Sequence, residues 1–429
     1  MSHSANAGAL QANGFAAKVK STVLPNGLTV LVQSIPGAGA VSIVGRLQAG
    51  DAFAGGYSLV PSMVAGMLTH GSKTLSKLEI ARRSQRMGNL AFGAGTFSLG
   101  WGSTVTAAYF SAFMELTAQV LREPSFTDEE LALTKRLIAS SITRSANEPG
   151  EVAANALARQ LYVNGPYFQK PFAEASAELE DIDSTMLRQF HKGHVAPHGG
   201  VIVIVGDVDS DAAFHLVERL FGDWRGPKAQ PIAIVDSPLP ARARFNVPVG
   251  DGDSLDVLIG RRSSVKWTNA DFCAARIGNL ILGGDTISSR LGNEVRVKNS
   301  LTYGVHSGFN NFFVSGGPWT IGLATSVSKA ERAIALVEQV MTEFLSTGVT
   351  DFEVTNQASR AAESFIVNLR TDLQLADSIA NLVFNGLGVE ELDFYPTRLK
   401  AVTCADVNTA IREHFALDNA ITIVAGKVA

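Results

Sequence analysis

The chain lacks several features that mark specialised classes of protein. Only two of its 429 residues are cysteine, Cys273 and Cys404, and they are far apart in the sequence. This argues against a disulfide framework and against a cysteine-rich zinc site, so both are expected to be packing residues. The formal net charge is −4, without a block of like charges. A nucleic-acid partner or an anionic membrane partner is therefore not expected.

Long apolar runs are also missing. Gly, Ser and Thr interrupt both uncharged spans, Ala52 to Ser72 and Met87 to Met114, and Pro61 also interrupts the first, whereas a membrane-spanning helix needs about twenty apolar residues. Both spans therefore indicate buried core. Met1 to Asn13 lack the basic start and apolar run of a signal peptide. The sequence as written predicts a cytoplasmic protein, or a periplasmic one if Met1 replaces a removed signal.

What the sequence does contain is an internal repeat. Apolar residues with the 3,4 spacing of a helical stripe occur in each half, and each stripe is followed by a Thr-Asp pair that can begin a second helix. A β-branched strand ends each half. The paired segments are Phe113/Leu116/Val120 with Ile334/Val337/Met341, Thr127-Asp128 with Thr350-Asp351, and Val201–Val208 with Ile421–Val428.

Proline marks the boundary between the two copies. Four prolines fall between Gly226 and Pro240, which predicts a linker at 227–240 between domains at 14–226 and 241–429. In the first copy, Asn26-Gly27 predicts a tight hairpin with positive φ angles. The second copy is expected to begin with the strand Leu255 to Gly260. The fold class is α+β, with two homologous domains that each pack helices on a mainly antiparallel sheet.

One segment of the second half combines glycines with two reactive side chains. Gly283 and Gly284 precede Arg296, and Tyr303 follows seven residues later. Arg296 can grip carbonyl groups and Tyr303 can donate from its hydroxyl. The alternatives are that Arg296 pairs with Glu294 or stabilises a helix end, that Tyr303 is a half-buried strand residue, and that the glycines form a turn with positive φ. A phosphate loop is disfavoured, because no Gly-Lys-Ser/Thr follows.

Together these residues resemble the pitrilysin/insulinase superfamily of zinc peptidases, in its mitochondrial processing peptidase branch. The resemblance covers nearly the whole chain. It is carried by the opening Leu24-Pro25-Asn26-Gly27-Leu28, the duplicated domain, the strand end Val205-Gly206-Asp207, and the segment from Leu282 to Tyr303. In peptidases of this superfamily that consist of one long chain, an Arg and a Tyr with this spacing reach from the fourth domain to the substrate.

The resemblance also shows what is missing. Active members carry a His-x-x-Glu-His zinc motif on a helix of the first domain and a further Glu ligand. The flanks place the motif on Ser62, Ala65 and Gly66, and the further ligand near Ser141. None of these can bind zinc as a His or Glu would. The closest sequence elsewhere, Ala410 to His414, lacks its first histidine. The resemblance thus implies a zinc site that has lost its ligands.

Two other candidate sites are weaker. His191, His194 and His198 have ligand-like spacing, but we expect exposed or locally hydrogen-bonded histidines, because no nearby carboxylate provides an evident base. A serine hydrolase that uses Ser62 is disfavoured, because no Gly-x-Ser-x-Gly elbow occurs.

The resemblance implies a zinc-free subunit of a heterodimeric metallopeptidase. In this hypothesis Arg296 and Tyr303 act on a bound peptide, Gly283 and Gly284 approach its backbone, and zinc is held by a homologous partner with an intact His-x-x-Glu-His motif. This chain itself would hold no cofactor and would be inactive when isolated. The alternative is a non-catalytic scaffold or assembly subunit derived from a processing peptidase.

Overall fold

A computed structural model describes residues 14–228, 239–250, 252–314 and 316–427. The segment read for a signal peptide, Met1 to Asn13, and most of the predicted linker lie outside the described residues. The chain forms two compact units, and each unit combines residues from both predicted domains, whose boundaries stay a prediction. Unit 1 comprises Met1–Ala139, Ala175–Ile232 and Phe365–Tyr395, and unit 2 comprises Ser140–Glu174, Ala233–Ser364 and Pro396–Ala429.

Unit 1 contains a six-stranded sheet. Its strands are β1 (Lys20–Val23), β2 (Thr29–Ser34), β3 (Ala40–Leu47), β4 (Phe92–Ala94), β5 (Leu99–Thr106) and β6 (Val201–Gly206). Their order is β1-β2-β6-β3-β5-β4, with β2 parallel to β6 and the other neighbours antiparallel.

Unit 2 contains a five-stranded sheet that repeats this arrangement. Its strands are β7 (Ala243–Pro248), β8 (Ser254–Arg262), β9 (Val305–Phe309), β10 (Pro318–Ser326) and β11 (Ile421–Gly426). Their order, β7-β11-β8-β10-β9, again contains one parallel pair, β7 with β11. The predicted α+β fold with two mainly antiparallel sheets is therefore confirmed.

Glycine ends the same strand in both copies. Gly206 closes β6 with φ +141°, and Gly426 closes β11 with φ +135°. A Cβ atom would lie 2.2 Å from the Ala40 carbonyl oxygen in the first copy and 2.6 Å from that of Ser254 in the second. No other residue fits both the conformation and the space. The two halves thus share a backbone device as well as a strand order.

The helices pack against these sheets. Within unit 1, α1 (Val60–Met67) contacts α7 (Ser184–His194) and β4, and α12 (Asp372–Phe384) covers β3 and β6. Within unit 2, α5 (Pro149–Leu161) covers β8 and β11, and α9 (Phe272–Gly283) packs on α14 (Cys404–His414) and β9. No helix of the described chain is both long and apolar enough to cross a bilayer. The helices are α1 (Val60–Met67), α2 (Lys77–Met87), α3 (Phe110–Arg122), α4 (Asp128–Ser145), α5 (Pro149–Leu161), α6 (Phe172–Asp181), α7 (Ser184–His194), α8 (Ser210–Phe221), α9 (Phe272–Gly283), α10 (Ala330–Thr347), α11 (Asp351–Asn368), α12 (Asp372–Phe384), α13 (Glu391–Lys400) and α14 (Cys404–His414).

The repeated helices lie where the sequence predicts them. The apolar stripes fall on α3 and α10, and the Thr-Asp pairs begin α4 and α11. Thr127 Oγ1 accepts from the Glu130 amide at 3.4 Å, and Thr350 Oγ1 accepts from the Glu353 amide at 3.3 Å. Both threonines therefore cap free amides of a first helical turn.

Two details of the strand prediction are wrong. The second copy begins with β7, whereas the predicted strand from Leu255 to Gly260 lies inside β8. Most side chains of β7 are exposed, so its sequence lacks the alternating apolar pattern that predicts a strand. The hairpin at Asn26-Gly27 does form, but only Gly27 has positive φ, at +84°. The Asn26 side chain instead donates to the Phe221 carbonyl at 2.6 Å.

Candidate functional site

The segment after α9 is an ordered loop. The Asp285 carboxylate accepts hydrogen bonds from the backbone amides of Ile287 and Ser288, at 2.7 and 2.8 Å. These bonds lower the pKa of Asp285. Arg290 makes two 2.8 Å bonds to the Glu353 carboxylate and therefore ties the end of the loop to the start of α11. The glycine-rich segment is thus held by its own polar side chains.

Arg296 lies in a π-helical turn, Gly292–Lys298, that follows the loop. Its side chain is half-buried, and Nη1 donates to Thr286 Oγ1 at 3.1 Å. The alternative partner, Glu294, is taken by Lys298, whose Nζ lies 2.6 Å from Glu294 Oε1. Single π-helical turns often occur at functional sites. The simple reading of Arg296 as the ion-pair partner of Glu294 is therefore wrong.

Tyr303 precedes β9 and is 94% exposed, so the prediction of a half-buried strand residue is wrong. The turn that carries it is nevertheless fixed. Thr302 Oγ1 donates to the Ala324 carbonyl at 2.6 Å and accepts from the Gly304 amide at 3.1 Å. Thr325 Oγ1 donates to the Leu301 carbonyl at 2.6 Å. A rigid backbone thus presents a large aromatic side chain almost entirely to solvent.

Arg296 and Tyr303 line the same groove, which has a volume of about 600 Å³. Folding therefore brings the two predicted residues to one surface of unit 2. The groove opens at the end of the β8–β10 pair and is rich in hydroxyl groups. Its walls are Asp253, Ser254, Arg296, Ser300, Leu301, Thr302, Tyr303, Ala324, Thr325, Ser326 and Lys329.

The positions aligned with the zinc motif lie on α1 in unit 1. Ser62 and Gly66, one helical turn apart, are both exposed, and a Cβ at Gly66 would meet no atom within 4 Å. Ala65 is 1% exposed. Ser62 Oγ donates to the Leu59 carbonyl at 2.9 Å, so its hydroxyl only caps the local backbone. Ser141, the position of the further ligand, is exposed on α4. None of these four side chains is a usual zinc ligand.

Residues 181–360 match the family model described as the peptidase M16 inactive domain. A protein of Mycobacterium leprae named an uncharacterized zinc protease is 22% identical over 388 residues, which are 88% of this chain and 83% of that protein. The chain is thus similar to M16 peptidases over these residues. A protein of Helicobacter pylori named the non-peptidase homolog YmxG is 21% identical over 88% of each chain.

Solved M16 structures show the same fold. A crystal structure described as the peptidase M16 inactive domain from Pseudomonas fluorescens superposes with a TM-score of 0.87 at 23% identity, covering 96% of this chain and 98% of that one. The periplasmic protease PqqL from Escherichia coli gives 0.80 at 17% identity, covering 96% of this chain but 46% of that one. At such low identities these likenesses establish the fold alone.

Gly283 and Gly284 have close packing neighbours. Gly283 ends α9 against β9, and a Cβ there would lie 2.5 Å from Ser307 Oγ and 2.7 Å from Ser307 N. Gly284 follows with φ −74°, and a Cβ there would lie 2.6 Å from Leu280 Cδ2. Neither residue has positive φ, so the alternative that the two glycines form a turn with positive φ is wrong. Close approach explains Gly283, and contact with substrate stays a prediction.

The three histidines near the end of unit 1's α7 do not converge as a metal site. His191 is bonded to the Leu121 carbonyl at 2.8 Å, and His194 packs on Phe190 with ring centroids 4.8 Å apart. Burial lowers the pKa of both imidazoles. His194 and His198 both line a small pocket, and His191 does not. The expectation of locally bonded histidines is confirmed for His191.

A residue that the sequence reasoning missed is Lys329. It lies 26 positions after Tyr303 in the sequence (329 − 303), just before α10, and lines the groove. Its Nζ donates to the Ser300 carbonyl at 2.9 Å. No local motif marks it, since only the pairing of β10 with β8 and β9 brings its segment back to the Tyr303 turn.

Proposed function

We propose that this chain is the zinc-free subunit of a two-chain M16 metallopeptidase. It supplies Arg296 and Tyr303 to a peptide whose scissile bond lies at the zinc site of a homologous partner subunit. The observation that carries the proposal is a 94% exposed Tyr303 on a fixed turn, beside Arg296 in one groove. An exposed aromatic side chain on a rigid turn is suited to a contact that the isolated chain does not make.

The proposed chemistry divides between the chains. Zinc in the partner would activate the attacking water. In this chain, the Tyr303 hydroxyl donates a hydrogen bond to the carbonyl oxygen as it gains negative charge. The Arg296 guanidinium holds a neighbouring carbonyl of the extended peptide, and Thr286 keeps it oriented. Substrates would be unfolded or short extended peptides, which can add to an exposed strand edge.

Two comparisons support a composite assembly. This chain covers 46% of PqqL, so two chains of this size would match one such long chain in length. Relatives over most of its length are named zinc proteases, while its own zinc positions hold Ser62, Ala65, Gly66 and Ser141. A site that needs zinc would then need a second chain.

The test begins with isolation from the native source. We expect a similar-sized chain with an intact His-x-x-Glu-His motif to co-purify, and peptide hydrolysis to require both chains. The isolated chain should hold no stoichiometric zinc and cut no peptide. One tightly held zinc per isolated chain would refute the split site.

Tyr303→Phe then tests the assigned role in the reconstituted pair. Loss of one oxyanion donor should lower kcat by about 100-fold or more, while the two chains still associate. The matched control is Tyr109→Phe, which removes a hydroxyl from another exposed tyrosine outside the groove. An unchanged kcat for Tyr303→Phe would leave Tyr303 a structural residue.

The second candidate is a non-catalytic scaffold. It is favoured by the loss of ligand side chains on α1 and by the Helicobacter pylori relative that is named a non-peptidase homolog. A scaffold would co-purify only with unrelated proteins, and its assembly would be indifferent to Tyr303→Phe.

A further inference from the structure

Two cations in the groove have no carboxylate partner. Arg296 and Lys329 both line it, and neither forms an ion pair with any Asp or Glu of the described chain. Asp253 is the single acidic residue among the lining side chains. The lining therefore carries a net charge of +1 before any ligand enters.

Neighbouring basic residues in unit 2 behave differently. Lys298 pairs with Glu294, Arg290 with Glu353, and Arg244 with Glu331. The two groove cations therefore differ from the other basic residues around them. Arg296 is unpaired in the described chain even though Glu294 lies in the same π-helical segment, because Glu294 pairs with Lys298. Cations that line a concave surface without a partner attract anions.

Both groove cations also have N–H donors that the hydrogen bonds described above do not use. The Lys329 ammonium has three N–H donors and gives one to Ser300. The Arg296 guanidinium has five and gives one to Thr286. Each is nevertheless held in place by the bond it makes. The donors that remain can bind a carboxylate at little further cost in side-chain entropy.

The Lys329 bond falls on an unusual residue. Ser300 has φ +51°, a conformation that residues other than glycine rarely adopt. Its amide donates to the Arg296 carbonyl at 3.0 Å, and its own carbonyl accepts from Lys329 at 2.9 Å. Ser300 therefore links the backbone of Arg296 to the side chain of Lys329.

We propose that this groove binds a carboxylate of a peptide, with Lys329 as the second recognition cation beside Arg296. The inference rests on the proposed function for the identity of the ligand as a peptide. It assigns a preference for peptides that carry a negative charge, either on an acidic side chain or at a free carboxyl terminus. Lys329 is a binding residue that recognises charge and takes no part in bond cleavage.

The experiment measures binding to the full isolated chain by fluorescence anisotropy. Three labelled peptides differ only at one internal position and at the carboxyl end: one has glutamine and an amidated end, one has glutamate and an amidated end, and one has glutamine and a free carboxyl end. We expect at least one charged peptide to bind about five- to tenfold tighter than the uncharged peptide, as for a hydrogen bond to a charged group. Whichever charged form binds tighter identifies the source of the carboxylate.

Variants locate the effect. Lys329→Gln should abolish the preference for charge, and Lys329→Arg should retain it. The matched control is Lys298→Gln, which removes the same charge from a nearby lysine outside the groove and should keep the preference. Thermal unfolding of each variant verifies folding. Equal affinity for all three peptides, or a preference that survives Lys329→Gln, would overturn the proposal.

The two proposals fail separately. The binding measurement uses no partner and no hydrolysis, so a charge preference that depends on Lys329 would stand even if no zinc-bearing chain were found. Conversely, a Tyr303→Phe effect on hydrolysis with no charge preference would retain the peptidase subunit and refute the carboxylate site alone.

Discussion

The two sheets share a strand order but use their surfaces differently. In unit 1, α1 presents Ser62 and Gly66 to solvent where the family resemblance would place zinc ligands. In unit 2, the segment between α9 and β9 presents Arg296 and Tyr303 in a groove. Residues that shape the backbone recur in both halves, whereas residues that face solvent do not. The two units therefore share a strand order while exposing different side chains at their surfaces.

The first strands of the parallel pairs show a second difference. β2 is largely buried, because β1 pairs with one edge and α8 packs on it. β7 takes the same place beside β11 but is an edge strand with mostly exposed side chains. Equivalent positions in a repeat therefore require different residues when one copy has an extra neighbour.

The largest expected effect tests whether the two halves are equivalent at the strand ends. Gly206→Ala and Gly426→Ala should each reduce the free energy of unfolding by about 2–4 kcal/mol, because a Cβ meets a backbone oxygen and the positive φ is strained. Urea unfolding measures this. The control is Gly93→Ala on β4, where a Cβ has open space. A large cost in one copy only would break the equivalence.

A smaller loss of stability is expected when the ordered loop of unit 2 is released. Arg290→Met removes both bonds to Glu353 and should cost about 1–2 kcal/mol at pH 7. Partial burial would raise the pKa of Glu353, but bonds from Arg290 and Thr350 outweigh it and hold that pKa below its usual value.

The pH dependence of this cost follows from the lowered pKa. The stabilisation by ionised Glu353 is complete above the unfolded-state value of about 4.3 and is lost as the pH falls through the folded-state value. The difference between the wild type and Arg290→Met should therefore shrink below about pH 4. Unfolding at a series of pH values checks this, and a difference that stays constant down to pH 3 would contradict the ionic account.

The smallest effect compares the two repeated caps. Thr350→Ala should cost about 1 kcal/mol and Thr127→Ala about half as much. The reason is that the Thr350 hydroxyl also donates to the Glu353 carboxylate at 2.9 Å, and Thr350→Ala removes this second bond as well. Denaturant midpoints of the two variants provide the measurement. Equal losses would show that this second bond adds nothing.

The sequence predicted the elements whose signals are local. The spacing of apolar residues predicts helices α3 and α10. The capping chemistry of Thr127 and Thr350 predicts where the following helices begin. β7 was missed because an exposed edge strand needs no alternating pattern. Arg296 and Tyr303 were predicted through the resemblance to a family, and the structure places both in one groove, while their joint role stays a prediction. Lys329 was missed because a contact across strands leaves no trace in sequence spacing.

The exchange of helices between halves was also beyond prediction. α12 comes from the second half of the sequence and packs on β3 and β6, while α5 comes from the first half and packs on β8 and β11. Each helix has an ordinary apolar face, and such a face does not specify which of two similar sheets it will cover. Only the assembled chain resolves that choice.

This exchange has a consequence for synthesis on the ribosome. The sheet of unit 1 is complete once β6 has emerged, but α12 begins only at Asp372. A nascent chain that stops near Gly226 therefore leaves the apolar surface of β3 and β6 uncovered, and such surfaces promote aggregation. The packing of this helix on the sheet must wait until most of the chain exists, so a late folding step is inherent in the order of the helices.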